Sequence, residues 1–385
     1  MSNFEKTAIA FLSVLAIGLI GGVFWLYQNK WQQPLGPALQ LPTVTPYPIV
    51  STVTPILDTA LLSTPKPVSV SPTISAPTTS SGITGQCGAP SVMTILAIGS
   101  DTRSDKYLYG LADAIRLIRI DSVTPKVTVL EFPRDLWVEI PDIADNLNGQ
   151  DHEKLNQAYL YGNPGFGYTN DLAQGPGLLA RTLALNFGTQ IDHYAAVNMR
   201  TFVKIVDAVG GIDVNLLDTV DGRTAEDTNL RLLFPKGENH LDGTRALTLA
   251  RTRIEGTFAR ADNQNLVLCA LRKKLISPSI FTSLPDLIKS FQGAIQTDLS
   301  PEQLGQLACL GTQLSPANIT FTSFPEELFT QDRVHDPVFG KSVFVWKTDY
   351  DILREYVEGF NNGTWPKGIT VAPVGTEEGD SQICQ

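Results

Sequence analysis

The chain is poor in positive charge, cysteine, histidine and methionine. Its 385 residues carry 29 Lys and Arg against 39 Asp and Glu, a formal charge of −10. That balance excludes a generally basic nucleic-acid binder, although net charge says nothing about how charge is distributed. Four cysteines, at 87, 269, 309 and 384, are too few for a disulfide scaffold and show no CxxC metal spacing. His152, His193, His240 and His335 form no HxxH or HExxH, so histidine-based metal chemistry has no motif to rest on. GxSxG, P-loop and GxGxxG patterns are absent as well.

What is present is strongly segregated. Residues 8–27, AIAFLSVLAIGLIGGVFWLY, contain no charge. Twenty residues at about 1.5 Å rise span roughly 30 Å, the thickness of a bilayer core. The run ends in Trp25 and Tyr27, which favour the headgroup level, and lacks a small-x-small cleavage site. A single uncleaved membrane anchor is expected over 1–30. Between Pro34 and Pro90 lie eleven prolines, many Ser and Thr, and almost no charge. Repeated proline removes backbone donors and favours extended chain, so 31–90 reads as an extracytoplasmic linker that builds no core.

From Ser91 the pattern becomes globular. SVMTILAIGSD is a short apolar run that delivers a carboxylate at its end, as a buried strand does. AIRLIRID (114–121) and KVTVLEF (126–132) alternate as strands around an SVTP turn. GPGLLARTLALNFG (175–188), TFVKIVDAVGG (201–211), LDGTRALTLAR (241–251) and ADNQNLVLCALRKKLI (261–276) have helical spacing, with DHYAAVNM and IDVNL as strands between them. The Gly-rich run 163–177 reads as a surface loop. Beyond Ser277, residues 286–310 suggest two helices, ANITFTSFP and KSVFVWKT strands, and YDILREYVEGF a helix. This order describes an α/β fold with a mixed sheet. The organisation expected is a catalytic-type domain over 91–276 followed by an α/β extension, 277–385, that either adds to or completes the same fold.

Arginine is the chemical signal. From His240 to Lys274 seven basic residues face three acidic ones, a local +4 in a chain of −10. Converging guanidinium forks make polyphosphate sites, whereas a solvated, salt-bridged helix face is the bland alternative. The ordered blocks ILAIGSDTR (95–103), FPRDLWVEIP (132–141), KLNQAYLYG (154–162), IDHYAAVNMRTFVKIVDAVGGIDV (191–214) and HLDGTRALTLARTR (240–253), with the spaced Arg260 and Gln264, resemble the LytR-CpsA-Psr family.

The resemblance implies an α/β/α sandwich with a hydrophobic lipid pocket, displayed outside the cell membrane on a single-pass anchor. It also implies a phosphotransferase that moves a glycopolymer from a polyprenyl-pyrophosphate carrier to a cell-wall acceptor with Mg²⁺ as cofactor. Carried over by position, Asp101 and Asp113 match the metal carboxylates. Arg134, Arg251 and Arg253 match catalytic cations, and Arg260 and Gln264 complete the pyrophosphate clamp. Arg103, Lys154 and Asn156 are further substrate-binding candidates. Val197, Phe202, Val206 and Leu266 are candidates for the lipid pocket, with ordinary core as their alternative.

Leu111 stands where the family has Arg, Thr257 where it has Asp and Asn263 where it has a second Arg. Arg103 or Arg116 is a substitute for the first. A missing charge-assisted contact of about 1.5–3 kcal/mol predicts reduced activity. It also motivates two rival readings, a non-catalytic polyprenyl-phosphate-binding envelope protein and a pyrophosphatase. Outside the membrane disulfides are allowed, and Cys269–Cys309 with Cys87–Cys384 is the preferred one of three connectivities.

Overall fold

β1 (Val92–Ser100) is apolar on both faces and lies inside a six-stranded sheet, flanked by β2 (Ala112–Asp121) and the later β6 (His193–Asn198). β2 and β3 (Lys126–Glu131) form the expected hairpin. Asp121 sets its turn, because Oδ1 accepts from the backbone N–H of Val123 and of Thr124, both at 3.0 Å. In this computed structural model the described residues are 32–41, 85–102, 104, 106–224, 227–252, 259–277, 294–336 and 340–366. The expected anchor, 8–27, lies outside them. Among the described residues no helix is long and apolar enough to cross a membrane.

The chain continues through β4 (Trp137–Glu139), β5 (His152–Lys154), α1 (Leu155–Gly162) and α2 (Gln174–Phe187) into β6. Gly162 and Gly175 let α1 and α2 touch backbone to backbone, since a Cβ on Gly162 would sit 2.8 Å from the Gly175 Cα. The Gly-rich run expected to be all loop is therefore helical from Gln174 onward. α3 (Met199–Ala208) is capped by the Asn198 side chain, which accepts from the Thr201 N–H. β7 (Ile212–Leu216), the two-residue ladder β8 (Val220–Asp221) with β9 (Leu233–Phe234), and β10 (Gly237–Leu241) precede α4 (Gly243–Arg251) and α5 (Ala259–Leu275). β11 (Ile295–Thr297), α6 (Pro301–Gln313), β12 (Ile319–Ser323), the hairpin β13 (Thr330–Asp336) and β14 (Lys341–Lys347), and α7 (Tyr350–Asn361) complete the order.

The sheet runs β11-β6-β1-β2-β3-β12, with parallel pairs β1–β6 and β3–β12 and the rest antiparallel. Both edge strands come from beyond residue 277. One face packs Leu96, Ile98, Ile115, Leu117 and Leu130 against α1, α2 and α7. On the other face Met93, Ile95 and Leu299 meet Leu307 of α6, and α5 crosses farther along. A second core joins α3, α4 and α5 to the β7–β10 ribbon. Val206 is fully buried there, with Phe202 and Leu266 packed on it, so these three are ordinary core of that unit.

Three expectations are corrected. Of the two helices expected over 286–310, Pro301–Gln313 forms the second, 286–293 lie outside the described residues, and the segment between is a strand. Ile295–Thr297 pairs antiparallel with Val197–Ala195 as β11, because an edge partner was available to a segment too short to declare its period. The Pro-rich stretch is not all detached linker. The Leu35 N–H donates to Leu299 O (3.1 Å), Tyr194 Oη donates to Pro37 O (3.1 Å), and Leu39 and Leu41 pack on the main core. Proline removes donors but leaves carbonyl acceptors, and the leucines supply the apolar area. Finally, Cys87 pairs with Cys309, 222 residues away, which overturns both preferred disulfides. α6 brings Cys309 beside the turn at Cys87, where Gln306 Nε2 donates to Gly88 O (3.1 Å). Cys269 is disulfide-bonded as well.

Candidate functional site

The site is built where β1 and β3 end and β2 begins. Gly99 pairs with Ala114 and Ser100 with Ala112, so Asp113 is the extra residue of a β-bulge. A bulge re-aims its side chain, here toward the strand end instead of along the pleat. Asp101 is held by a reciprocal clip to Leu111, whose N–H donates to Oδ1 (2.6 Å) and whose carbonyl accepts from the Asp101 N–H (3.1 Å). The residue standing in place of the family arginine thus fixes a metal-candidate carboxylate through its backbone. Gly110, at φ 142°, is required nearby, since a Cβ there would fall 2.0 Å from Thr102 Oγ1.

Pro133-Arg134-Asp135 leaves β3 toward that bulge. Arg134 Nη1 donates to Asp113 Oδ1, and its Nε donates to Asp135 Oδ2 at 3.3 Å. Lys154 Nζ, at the end of β5, donates to Asp135 Oδ1 at 2.9 Å. The result is a chain of alternating charge, Asp113–Arg134–Asp135–Lys154, with every member 13–22% exposed. Asn156 joins it through the backbone, its N–H donating to Arg134 O (3.0 Å). Its side-chain Oδ1 is buried without a partner among the described residues. The chain is neutral as a unit, so any net attraction for an anion must come from further cations. Arg251 is exposed at the end of α4.

Of the expected site residues the structure brings Asp113, Arg134, Lys154 and Asn156 together and sets Asp101 beside them across the β1–β2 strand end. Gln264 lies on the α5 side of the sheet, bonded to the floor residue Arg116. Its Oε1 accepts from Arg116 Nη2 (3.1 Å) and its Nε2 donates to Ala250 O (3.3 Å). The cause is Arg116, 4% exposed on the opposite face of the sheet. It needs acceptors there and also takes Glu131 Oε2 (2.6 Å) and Asn265 Oδ1 (2.7 Å). Arg116 is therefore a structural arginine and no substitute for the missing one. Burial, and then the Glu131 carboxylate, push the nearby Asp262 carboxyl up. Arg103 and Arg253 lie outside the described residues, as does the side chain of Arg260. Asp135 stands in the FPRDLWVEIP block, where the resemblance assigns it no role. The signal was its place between two cations, Arg134 beside it and the Lys154 that opens the next block.

Behind the charged chain, on the α5 side of the sheet, the registers Ala114–Gly99–Val197 and Arg116–Ala97–Ala195 cross three strands. The five small or short residues in these rows stay half-exposed in the middle of the sheet. The sheet therefore presents a floor without bulk near the end that carries Asp113.

These features define a class: a layered α/β domain with a chain of alternating charges at one end of its mixed sheet. The chain belongs to the LytR_cpsA_psr family, whose model matches residues 73–353. Among curated relatives, the protein named polyisoprenyl-teichoic acid–peptidoglycan teichoic acid transferase TagU of Bacillus mycoides is 30% identical over 217 residues, which cover 55% of this chain and 62% of that protein. Its namesake in Oceanobacillus iheyensis is 31% identical over 218 residues, covering 56% and 61%. The match thus spans about three fifths of the length of these relatives. Among solved structures, B. subtilis TagV superposes with a TM-score of 0.53 at 22% identity, covering 70% of this chain and 97% of that one. TagT bound to LIIa-WTA gives 0.53 at 21% identity, covering 74% and 97%. At such identities the likeness concerns the fold.

Proposed function

We propose that the protein is a membrane-anchored transferase that moves a glycopolymer from a polyprenyl-pyrophosphate carrier onto a cell-wall sugar hydroxyl. The observation that carries this reading is the Asp113–Arg134–Asp135–Lys154 chain at the open end of a half-exposed small-residue floor. The charged end suits a pyrophosphate and the floor suits its apolar tail. The transferase names of the relatives support it from a different direction. Residues 8–27 supply the anchor.

In the reaction the acceptor hydroxyl bonds to the sugar-linked phosphorus. The phosphorus–oxygen bond of the pyrophosphate breaks, polyprenyl monophosphate leaves, and the hydroxyl proton passes to a carboxylate, Asp101 or Asp113. Arg134 orients and neutralises the phosphoryl oxygens, Asp135 and Lys154 fix Arg134, and Arg251 adds positive charge from α4. Mg²⁺ is expected as cofactor, and the donor set fits it. Asp101 and Asp113, from adjacent strands, would hold the ion, as suits one that takes one or two carboxylates and fills the rest with water and phosphate. Among the described residues no group of three His, Cys, Asp or Glu offers a fuller cage. When bound, the ion supplies charge neutralisation at the phosphates.

The test is to incubate the full chain with a polyprenyl-pyrophosphate glycan, Mg²⁺ and wall acceptor. Glycan is expected on the acceptor, and Arg251→Ala should lower transfer about ten- to a hundred-fold. Transfer by Arg251→Ala at the parent rate would remove Arg251 from the site. Leu111 keeps a second reading in view: lipid that co-purifies without turnover identifies a binding protein. Phosphate released without acceptor identifies a pyrophosphatase.

A further inference from the structure

A cavity of about 440 Å³ opens beside the charged chain, lined by Trp137, His152, Lys347, Thr348 and Tyr350. Its place in the fold follows from register. On the β4–β5 ribbon Trp137 lies directly across from Lys154 and Glu139 from His152, while Val138 and Glu153 face inward and are fully buried. Opposed residues of an antiparallel pair share a face. Trp137 and His152 therefore stand on the same side as Lys154, which is bonded to Asp135. The far wall comes from β14 and the start of α7. β14 is locked to the site, because the Trp346 N–H donates to Asp135 O (2.9 Å) and Leu136 bridges to Trp346. Tyr350 Oη donates to the Trp137 carbonyl, and its ring stacks on Phe187 with centroids 5.8 Å apart, so that wall is rigid.

The chemistry of the lining selects a ligand. The volume suits a small molecule, and ring faces with a few polar groups at the rim are the usual composition of such a site. A phosphate is disfavoured because both basic groups at the rim already have acidic partners. Lys347 Nζ lies 2.6 Å from Asp332 Oδ2, and His152 Nδ1 lies 2.6 Å from Asp151 Oδ1. A lipid chain is disfavoured by those same charges. Thr348 adds a hydroxyl that is covered and has no hydrogen-bond partner among the described residues. A neutral molecule with an apolar face and a hydroxylated edge fits all of this.

We propose that the cavity binds a pyranose ring, its C–H face laid on Trp137 and its hydroxyl edge toward His152 and Lys347. The step from any sugar to a substrate sugar rests on the transferase reading above; the sugar site itself does not. The ring can belong to the donor glycan next to its pyrophosphate or to the wall acceptor, since both would pass Lys154.

The full chain, in a detergent without a sugar headgroup, is titrated with the trimer of N-acetylglucosamine and followed by tryptophan fluorescence and saturation-transfer NMR. Saturable binding is expected. Trp137→Ala should weaken it at least tenfold and Trp137→Phe, which keeps an aromatic face, about threefold or less. His152 is exposed at the rim, so His152→Ala tests the site with the core untouched and should weaken binding about fivefold. Absence of saturable binding, or parent affinity in both Trp137→Ala and His152→Ala, overturns the sugar site whether or not transfer occurs. In the transfer assay, a raised KM for acceptor alone assigns the ring to the wall and a raised KM for donor alone assigns it to the carrier glycan. If neither KM moves although trimer binding is lost, the substrate role is wrong, and the transferase reading stands untouched.

Discussion

Replacing Arg134 with alanine is expected to lower kcat/KM for glycan transfer by about 10²–10³, the loss typical when one preorganised donor to a developing oxyanion is removed. The guanidinium is wedged between Asp113 and Asp135 and is 17% exposed. Its charge therefore acts in a medium less polar than water, where a fixed cation stabilises an equatorial phosphoryl oxygen more than it would on the surface. Two effects combine in the variant. The cation is lost from the phosphate, and Asp113 and Asp135 are left as carboxylates without their shared partner, which makes the strand end repel an incoming anion.

Arg134→Lys should recover only part of the activity, about tenfold below the parent. A single ammonium carries the charge, but it cannot hold two carboxylates and a phosphate with the geometry of a fork. Folding should be little affected, because the pair is partly solvated and breaking it costs on the order of 1–2 kcal/mol. Steady-state kinetics beside thermal melts separate the two effects. An Arg134→Ala enzyme within threefold of the parent would place the phosphate elsewhere.

How far this was legible in the sequence depended on the range of the interactions. β1, β2 and β3 were readable because short apolar runs bounded by turn residues declare strands locally. Arg134 was readable as a candidate from its motif. Its contact with Asp113 was not, because it depends on a hairpin register and on a bulge that appears only when Ser100 skips a residue to pair with Ala112. Gln264 was readable from its motif position, but its bond to a buried Arg116 148 residues earlier in the chain was not. β11 took its identity from β6, not from its three residues. The docking of Leu35–Leu41 and the Cys87–Cys309 pairing likewise depend on partners brought in from the far end of the chain.

A second large effect is expected on stability as a function of pH, and it comes from a group that no motif marks. Glu153 faces inward from β5 and is fully buried beside Asp336, itself fully buried at the end of β13. Burial first, and then the Asp336 carboxylate, push the Glu153 carboxyl up to about 7, against the pull of the Lys154 N–H and of the Gln150 amide that donates to it at 2.6 Å. Gln157 Nε2 donates to its other oxygen at 2.8 Å. The folded protein therefore keeps a proton that the unfolded chain, with its ordinary value of 4.5, releases. Below about pH 4.5 both states hold the proton and nothing is lost. Between there and about pH 7 the unfolded state binds fewer protons, so stability falls as pH rises, by on the order of 3 kcal/mol in total. Glu153→Gln keeps the shape, puts an amide donor toward Asp336 and removes the titration. Its denaturation midpoint should be close to that of the parent at pH 5 and clearly higher at pH 8. Parallel stability curves for the two proteins between pH 5 and 8 would show that Glu153 is ionised in the folded state throughout. The hairpin held by this proton is the one that carries Lys347 and Thr348 to the proposed sugar cavity. Trimer binding in the parent should therefore weaken above pH 7 together with the midpoint, and Glu153→Gln should restore both.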